Sequence, residues 1–121
     1  SGSWKTINNS MAIYTNLTID QGSDYMTEIT VEDAAGNDAD LTGYIAYGQI
    51  RKTYSSTTKY DFICTIPYPT QGIVQIKLPN SVTNVMKPGR YVYDVEVRVG
   101  VNGDITRIVE GQLEITPGVT R

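Results

Sequence analysis

The strongest periodicity in the chain lies near its C-terminal end, where Tyr91, Tyr93, Val95, Val97 and Val99 alternate with Asp94, Glu96 and Arg98. A period of two sends one set to each face of a β-strand, so this segment predicts a central strand with one face in a core and the other in water. Val109, Gly111, Leu113 and Ile115 continue an inward set. Ile105 and Ile108 fall on opposite phases, which a β-bulge near Arg107 reconciles. Between the two runs, Gly100-Val101-Asn102-Gly103-Asp104 holds the Asn-Gly pair that tight hairpins use, so the strands are expected to pair antiparallel.

The same reading carried back along the chain predicts about seven strands in all, separated by turn residues at intervals of about ten. Ile13 to Asp20 alternates loosely and ends at Gln21-Gly22-Ser23. In Asp24 to Glu32, Tyr25, Ile29 and Val31 oppose Glu28, Thr30 and Glu32, and Ala34 to Asn37 breaks the run. Ile45 to Lys52 is a third strand whose phase the small residues Ala46 and Gly48 leave open, followed by a Ser/Thr loop from Tyr54 to Lys59. Tyr60, Phe62, Cys64 and Ile66 line a fourth strand that Pro67 and Pro69 should stop. Val74, Ile76 and Leu78 line a fifth after the turn at Gln71-Gly72. Asn80 to Met86 predicts one helical turn capped by Asn80 or Ser81, with Val82, Val85 and Met86 on a common side. Ser1-Gly2-Ser3 reads as a linker scar, and no periodicity precedes Met11. The domain is therefore expected over residues 11–121, with 1–10 a non-native remnant or an N-terminal arm that docks on a partner.

Composition agrees with a β fold: Val, Ile, Thr and nine Tyr dominate, with eleven Gly and five Pro as punctuation. A chain of 121 residues is long enough for one self-supporting core without a disulfide or metal. The net charge of −3 with scattered cations gives no footprint for nucleic acid or an acidic membrane. No apolar stretch approaches the about 18 residues that span a bilayer, and no basic-then-apolar leader opens the chain. A soluble protein is expected.

Segment Lys87-Pro88-Gly89-Arg90-Tyr91-Val92-Tyr93 places a turn, a glycine and a tyrosine at the start of the penultimate strand. This is the setting of a tyrosine corner, in which the hydroxyl bonds back to nearby backbone; the plainer reading of Tyr91 is a half-buried strand tyrosine. With the helical turn before it and the hairpin after it, the order of elements predicts an immunoglobulin-like antiparallel β-sandwich. With Cys64 alone and Trp4 ahead of the first strand, an antibody-type domain is excluded.

Candidate chemistry is thin. Histidine is absent, which removes the usual general base and the commonest metal ligand. Cys64 shares a strand face with Tyr60, Phe62 and Ile66 and reads as a buried structural thiol. Asp33, Asn37, Asp38 and Asp40 crowd one turn as calcium loops do, but no glutamate closes the loop, and a solvated turn uses the same residues. Asp94, Glu96, Glu110 and Glu114 could meet across the hairpin as paired acids do in glycoside hydrolases. They alternate with core residues, so an outer-face network with Arg98 and Arg107 is the expectation. Tyr44, Tyr54 and Tyr68 lie in or beside loops, where they could stack on a sugar or anchor a protein. Asn8-Asn9-Ser10 and Asn16-Leu17-Thr18 fit the glycosylation pattern and are expected to be idle. No catalytic residue, cofactor or metal site is expected, and the chain is not expected to be an enzyme.

From Met11 to Arg121 the chain resembles small virion structural proteins of tailed, cyanophage-like bacteriophages and the related immunoglobulin-like N-terminal domains of phage baseplate upper proteins. Five segments carry the resemblance: Met11 to Gly22, Asp40-Leu41-Thr42-Gly43-Tyr44, Ile50-Arg51-Lys52, Lys87 to Val95, and Val109-Glu110-Gly111 through Ile115-Thr116-Pro117. These are strand and turn residues, so the resemblance implies a fold and a setting: a capsid, neck, tail or baseplate component of the virion, made in the host cytoplasm. It implies other virion structural proteins as partners, a homo-oligomer where the position repeats, and neither nucleic acid nor membrane. The competing class is an adhesion or carbohydrate-binding module, motivated by the loop tyrosines and the Asp-rich turn.

Overall fold

The computed structural model describes residues 4–7, 13–33, 35–53, 57–100 and 103–117. Among them the chain forms β1 (Trp4–Ile7), β2 (Ile13–Tyr14), β3 (Leu17–Asp20), β4 (Tyr25–Glu32), β5 (Tyr44–Arg51) and β6 (Lys59–Tyr68). A 3-10 turn (Pro69–Gln71), β7 (Ile73–Leu78), α1 (Asn80–Thr83), β8 (Gly89–Val99) and β9 (Ile105–Thr116) follow. Sheet I runs β1-β4-β7-β6, and sheet II runs β6-β5-β8-β9, with β2 and β3 parallel on the far side of β9. β6 joins the two: Lys59 to Phe62 pair with β5, and Ile63 to Tyr68 pair with β7. The architecture is the expected immunoglobulin-like sandwich, with α1 before the penultimate strand.

Alternation builds the core. Ile29, Val31, Val74, Ile76 and Leu78 of sheet I meet Ile50, Tyr93, Val95, Val97, Val109 and Leu113 of sheet II, all buried. Such a side chain contributes about 1.5–3 kcal/mol by leaving water. Tyr91 makes the corner: its hydroxyl donates to the Lys87 carbonyl at 2.7 Å, and its ring meets Tyr60 edge-on at 6.3 Å.

Several local expectations are corrected. The segment from Ile13 to Asp20 is two strands, because the backbone at Thr15 passes directly over Gly111. A Cβ on Gly111 would stand 2.0 Å from the Thr15 carbonyl oxygen, which accepts the Tyr93 hydroxyl at 2.6 Å. Trp4 to Ile7, without periodicity in the sequence, pair in parallel with β4 from Ile29 to Glu32. β6 continues through Pro67, since that half of the strand has β7 on one side only and a register shift between Thr65 and Tyr68 absorbs the missing donor. α1 begins after Pro79 with no cap from Asn80 or Ser81; the Asp24 carboxylate accepts the Asn80 N–H instead, at 2.8 Å. The helix ends before Val85, which is exposed, while Thr83 and Met86 are buried. Val99 is also exposed, at the end of a strand that outruns the core.

Candidate interaction face

The outer face of sheet II is built from cross-strand rows fixed by register. Ile45, Arg98 and Ile105 form one row, and Tyr47, Glu96 and Arg107 the next. Gln49, Asp94, Glu110 and Tyr14 form the third. A bulge determines who faces out. Val95 pairs with Val109 but Glu96 pairs with Arg107, so Ile108 is the extra residue and both Ile108 and Val109 are buried. The phase of β9 reverses there, which turns Arg107 and Ile105 to the surface. The bulge expected near Arg107 is thus what supplies this face with its central cation.

Arg107 lies 3.3 Å from Glu110, 3.6 Å from Asp94 and 3.9 Å from Glu96. Burial lifts the Asp94 carboxyl above the ordinary carboxylate range, against the pull of Arg107 and Arg51. All these groups are partly exposed, so each pair contributes about 0–1 kcal/mol. Arg98, expected in the same network, goes elsewhere: its guanidinium lies 4.9 Å from the Tyr47 ring centroid and donates to the Tyr47 hydroxyl at 2.8 Å. Its Nε is buried without a hydrogen-bond partner among the described residues. Glu114, the fourth acid, pairs across from Arg90, two rows away from Glu110. Between β5 and β9 the rows enclose an open cleft of about 320 Å³, with Tyr47, Gln49 and Arg51 on one bank and Ile105 and Arg107 on the other. Arginine, tyrosine and isoleucine exposed together suit recognition by contact.

The remaining sequence candidates are occupied by the fold. Asp33 Oδ1 accepts the N–H groups of Ala35 and Asn37, both at 2.9 Å. Asp40 Oδ1 accepts the hydroxyl and N–H of Thr42, which hold its carboxyl below the usual range. The backbone at Asp38 forms an isolated antiparallel β-bridge with Glu32, and among the described residues no group of three or more acidic, cysteine or histidine side chains is arranged to hold a metal. Tyr44 is half-buried beside a cavity of about 150 Å³, Tyr68 is exposed at the end of β6, and Tyr54 lies outside the described residues. Burial, aided by the Asp61 charge, pushes the Cys64 thiol up to about 12, so it carries little thiolate at neutral pH. Asn16 spends its side-chain oxygen on the Gln112 N–H at 3.1 Å, and Asn8 lies outside the described residues.

Ile45, Tyr47, Gln49 and Arg51 were not expected from the sequence to share an interaction face, although a signal exists. They alternate with Ala46, Gly48 and Ile50, and the small residues face inward because the space is filled: a Cβ on Gly48 would stand 2.9 Å from the Phe62 ring.

No family model matches the chain, and no curated protein matches it in sequence. Among solved structures it is similar to the N-terminal domain of phage TP901-1 ORF48, with a TM-score of 0.57 over 94% of this chain and 96% of that one. At 7% identity, what the two share is the fold. The Lin-41 filamin domain (TM-score 0.43, 15% identity, 81% of each chain) is a weaker likeness. So is a family 123 glycoside hydrolase from Clostridium perfringens (TM-score 0.42, 12% identity, 90% of this chain and 24% of that one).

Proposed function

We propose that this chain is a non-enzymatic structural component of a bacteriophage particle, working in the capsid, neck, tail or baseplate through contacts with other virion proteins. The observation that carries the mode of action is the outer face of sheet II, where exposed Ile45, Tyr47 and Ile105 border three acids bridged by Arg107, with Arg51 and Arg98 beside them. Of the acids that might have done chemistry, Asp94, Glu96 and Glu110 are paired with Arg107, Asp33 and Asp40 accept backbone N–H groups, and Glu114 stands two rows from Glu110. The phage setting is supported by the end-to-end likeness of fold to a phage domain and by the strand and turn residues that resemble virion proteins. In this reading the protein is made in the host cytoplasm and resides in the virion.

The two features that motivated a sugar-binding module, the Asp-rich turn and the loop tyrosines, offer no assembled site among the described residues. Mass spectrometry of purified virions from the source phage tests the proposal. Peptides of this chain at a constant ratio to the major capsid protein are expected, and intact particles lacking them would overturn it. A glycan array with and without calcium is expected to show no saturable binding.

A further inference from the structure

The two ends of the sandwich carry opposite charge. At the end where β8 begins, register puts Arg51 beside Val92 and across from Lys59, two like charges set directly opposite one another. Lys52 lies over the Tyr91 ring at 4.6 Å, and exposed Lys87 leads into β8. The acids at this end are engaged locally: Asp20 accepts the Thr116 hydroxyl, Asp24 accepts the Asn80 N–H, and Glu114 stands across from Arg90. At the opposite end Glu32 closes β4, Asp33, Asp38 and Asp40 follow it, and Asp104 precedes β9. None of the four aspartates forms an ion pair among the described residues. By register the cations nearest them are Lys5, opposite Thr30, and Arg98, already laid on Tyr47.

The acidic end also has an opening. Between the sheets lies the cavity of about 150 Å³, floored by buried Val31, Leu41, Val97 and Ile108, with Asp33, Asp40 and Thr106 among its other walls. The bonds from Thr42 that hold the Asp40 carboxyl below the usual range keep it ionised. An aliphatic floor beside carboxylates fits a side chain with an apolar stem and a cationic tip, which is a lysine and not a sugar. The basic end supplies that chemistry in Lys87, and two residues before it stands Val85, 66% exposed and left out of the core.

We propose that copies of this domain stack end to end, the basic end of one seated on the acidic end of the next, with Lys87 entering the cavity and Val85 covering its rim. The contact is heterologous: each copy offers one end and accepts the other, so it builds a ring or a row rather than a closed pair. Both outer sheet faces stay free for other partners. The contact rests on the assembly reading above and deepens it by naming a second copy as one partner and the ends that meet.

Sedimentation of the purified full-length chain over a concentration series, at low ionic strength and again in about 0.5 M salt, tests this directly. At low salt, species larger than a dimer are expected as concentration rises, and high salt is expected to weaken association about tenfold or more. Lys87→Glu alters a residue that gives only its backbone carbonyl to the tyrosine corner, and is expected to weaken association about tenfold with an unchanged circular dichroism spectrum. Thr106→Phe, which fills the cavity and leaves every charge in place, is expected to do the same; should it fail to fold, Asp40→Asn reads the same end and is expected to weaken association. Mixed together, Lys87→Glu and Thr106→Phe are expected to form a dimer and stop there, because each retains the end the other lacks. Three results would overturn the contact: an unaltered chain that stays monomeric or stops at a dimer, association unchanged by salt or by Lys87→Glu, or a folded cavity-end variant that associates as the unaltered chain does. Virion mass spectrometry is unaffected by any of these, so failure of the contact and failure of the phage assignment are separately visible.

Discussion

The β8–β9 hairpin has two faces of similar length and opposite character. Inward, Tyr91, Tyr93, Val95, Val97, Val109, Gly111 and Leu113 are all committed: the two hydroxyls have backbone acceptors, and even the missing side chain of Gly111 makes room for the Thr15 backbone. Outward, Asp94, Glu96, Arg107 and Glu110 satisfy one another in a partly hydrated network. A displaced inner atom leaves a clash or a buried orphan, whereas a displaced outer atom is replaced by water. Stability should therefore be sensitive on one face and tolerant on the other, leaving the tolerant face free to carry binding.

Gly111→Ala tests the inner face most severely. The methyl would be driven against the Thr15 carbonyl, so the β2–β3 segment must lift from β9, at a cost of about 3 kcal/mol in chemical denaturation. Tyr93→Phe should come next, at about 1–2 kcal/mol, because the Thr15 carbonyl loses its 2.6 Å donor inside the fold. An equal or larger loss from the outer-face changes would break the contrast.

Arg107→Ala should cost less than about 1 kcal/mol, and 0.5 M salt should shrink the difference further by screening. Asp94→Asn should be the mildest and is expected to be neutral or slightly stabilising at pH 7. Because the folded-state pKa of Asp94 is raised, its ionised form is the one the fold disfavours. That penalty is fully present above the folded pKa and disappears as pH falls below the unfolded value of about 3.9. Thermal melts of the two proteins should accordingly converge as the pH is lowered to about 3.

Much of this was readable from the chain. Strict alternation in residues 91–97 gave the orientation of β8, and the phase conflict between Ile105 and Ile108 gave the bulge. Such features follow from period and sterics over a few residues, so local sequence suffices. Asp33 and Asp40 were similarly legible as turn residues, since their N–H donors lie two to four positions away.

The partners of the outer face were not legible, because they depend on which strands become neighbours and in what register. Arg98 and Arg107 look equivalent in the sequence, but only Arg107 reaches the acids, while Arg98 lies on Tyr47 from a strand 51 positions away. The sequence by itself determined the alternating strands, the tyrosine corner and the single apolar interior, because those arise from side-chain period and turn chemistry. Only the tertiary structure decided the jog at Thr15, the pairing of β1 with β4 and the membership of the charged face. Each depends on close approach between segments far apart in the chain, which no local pattern encodes.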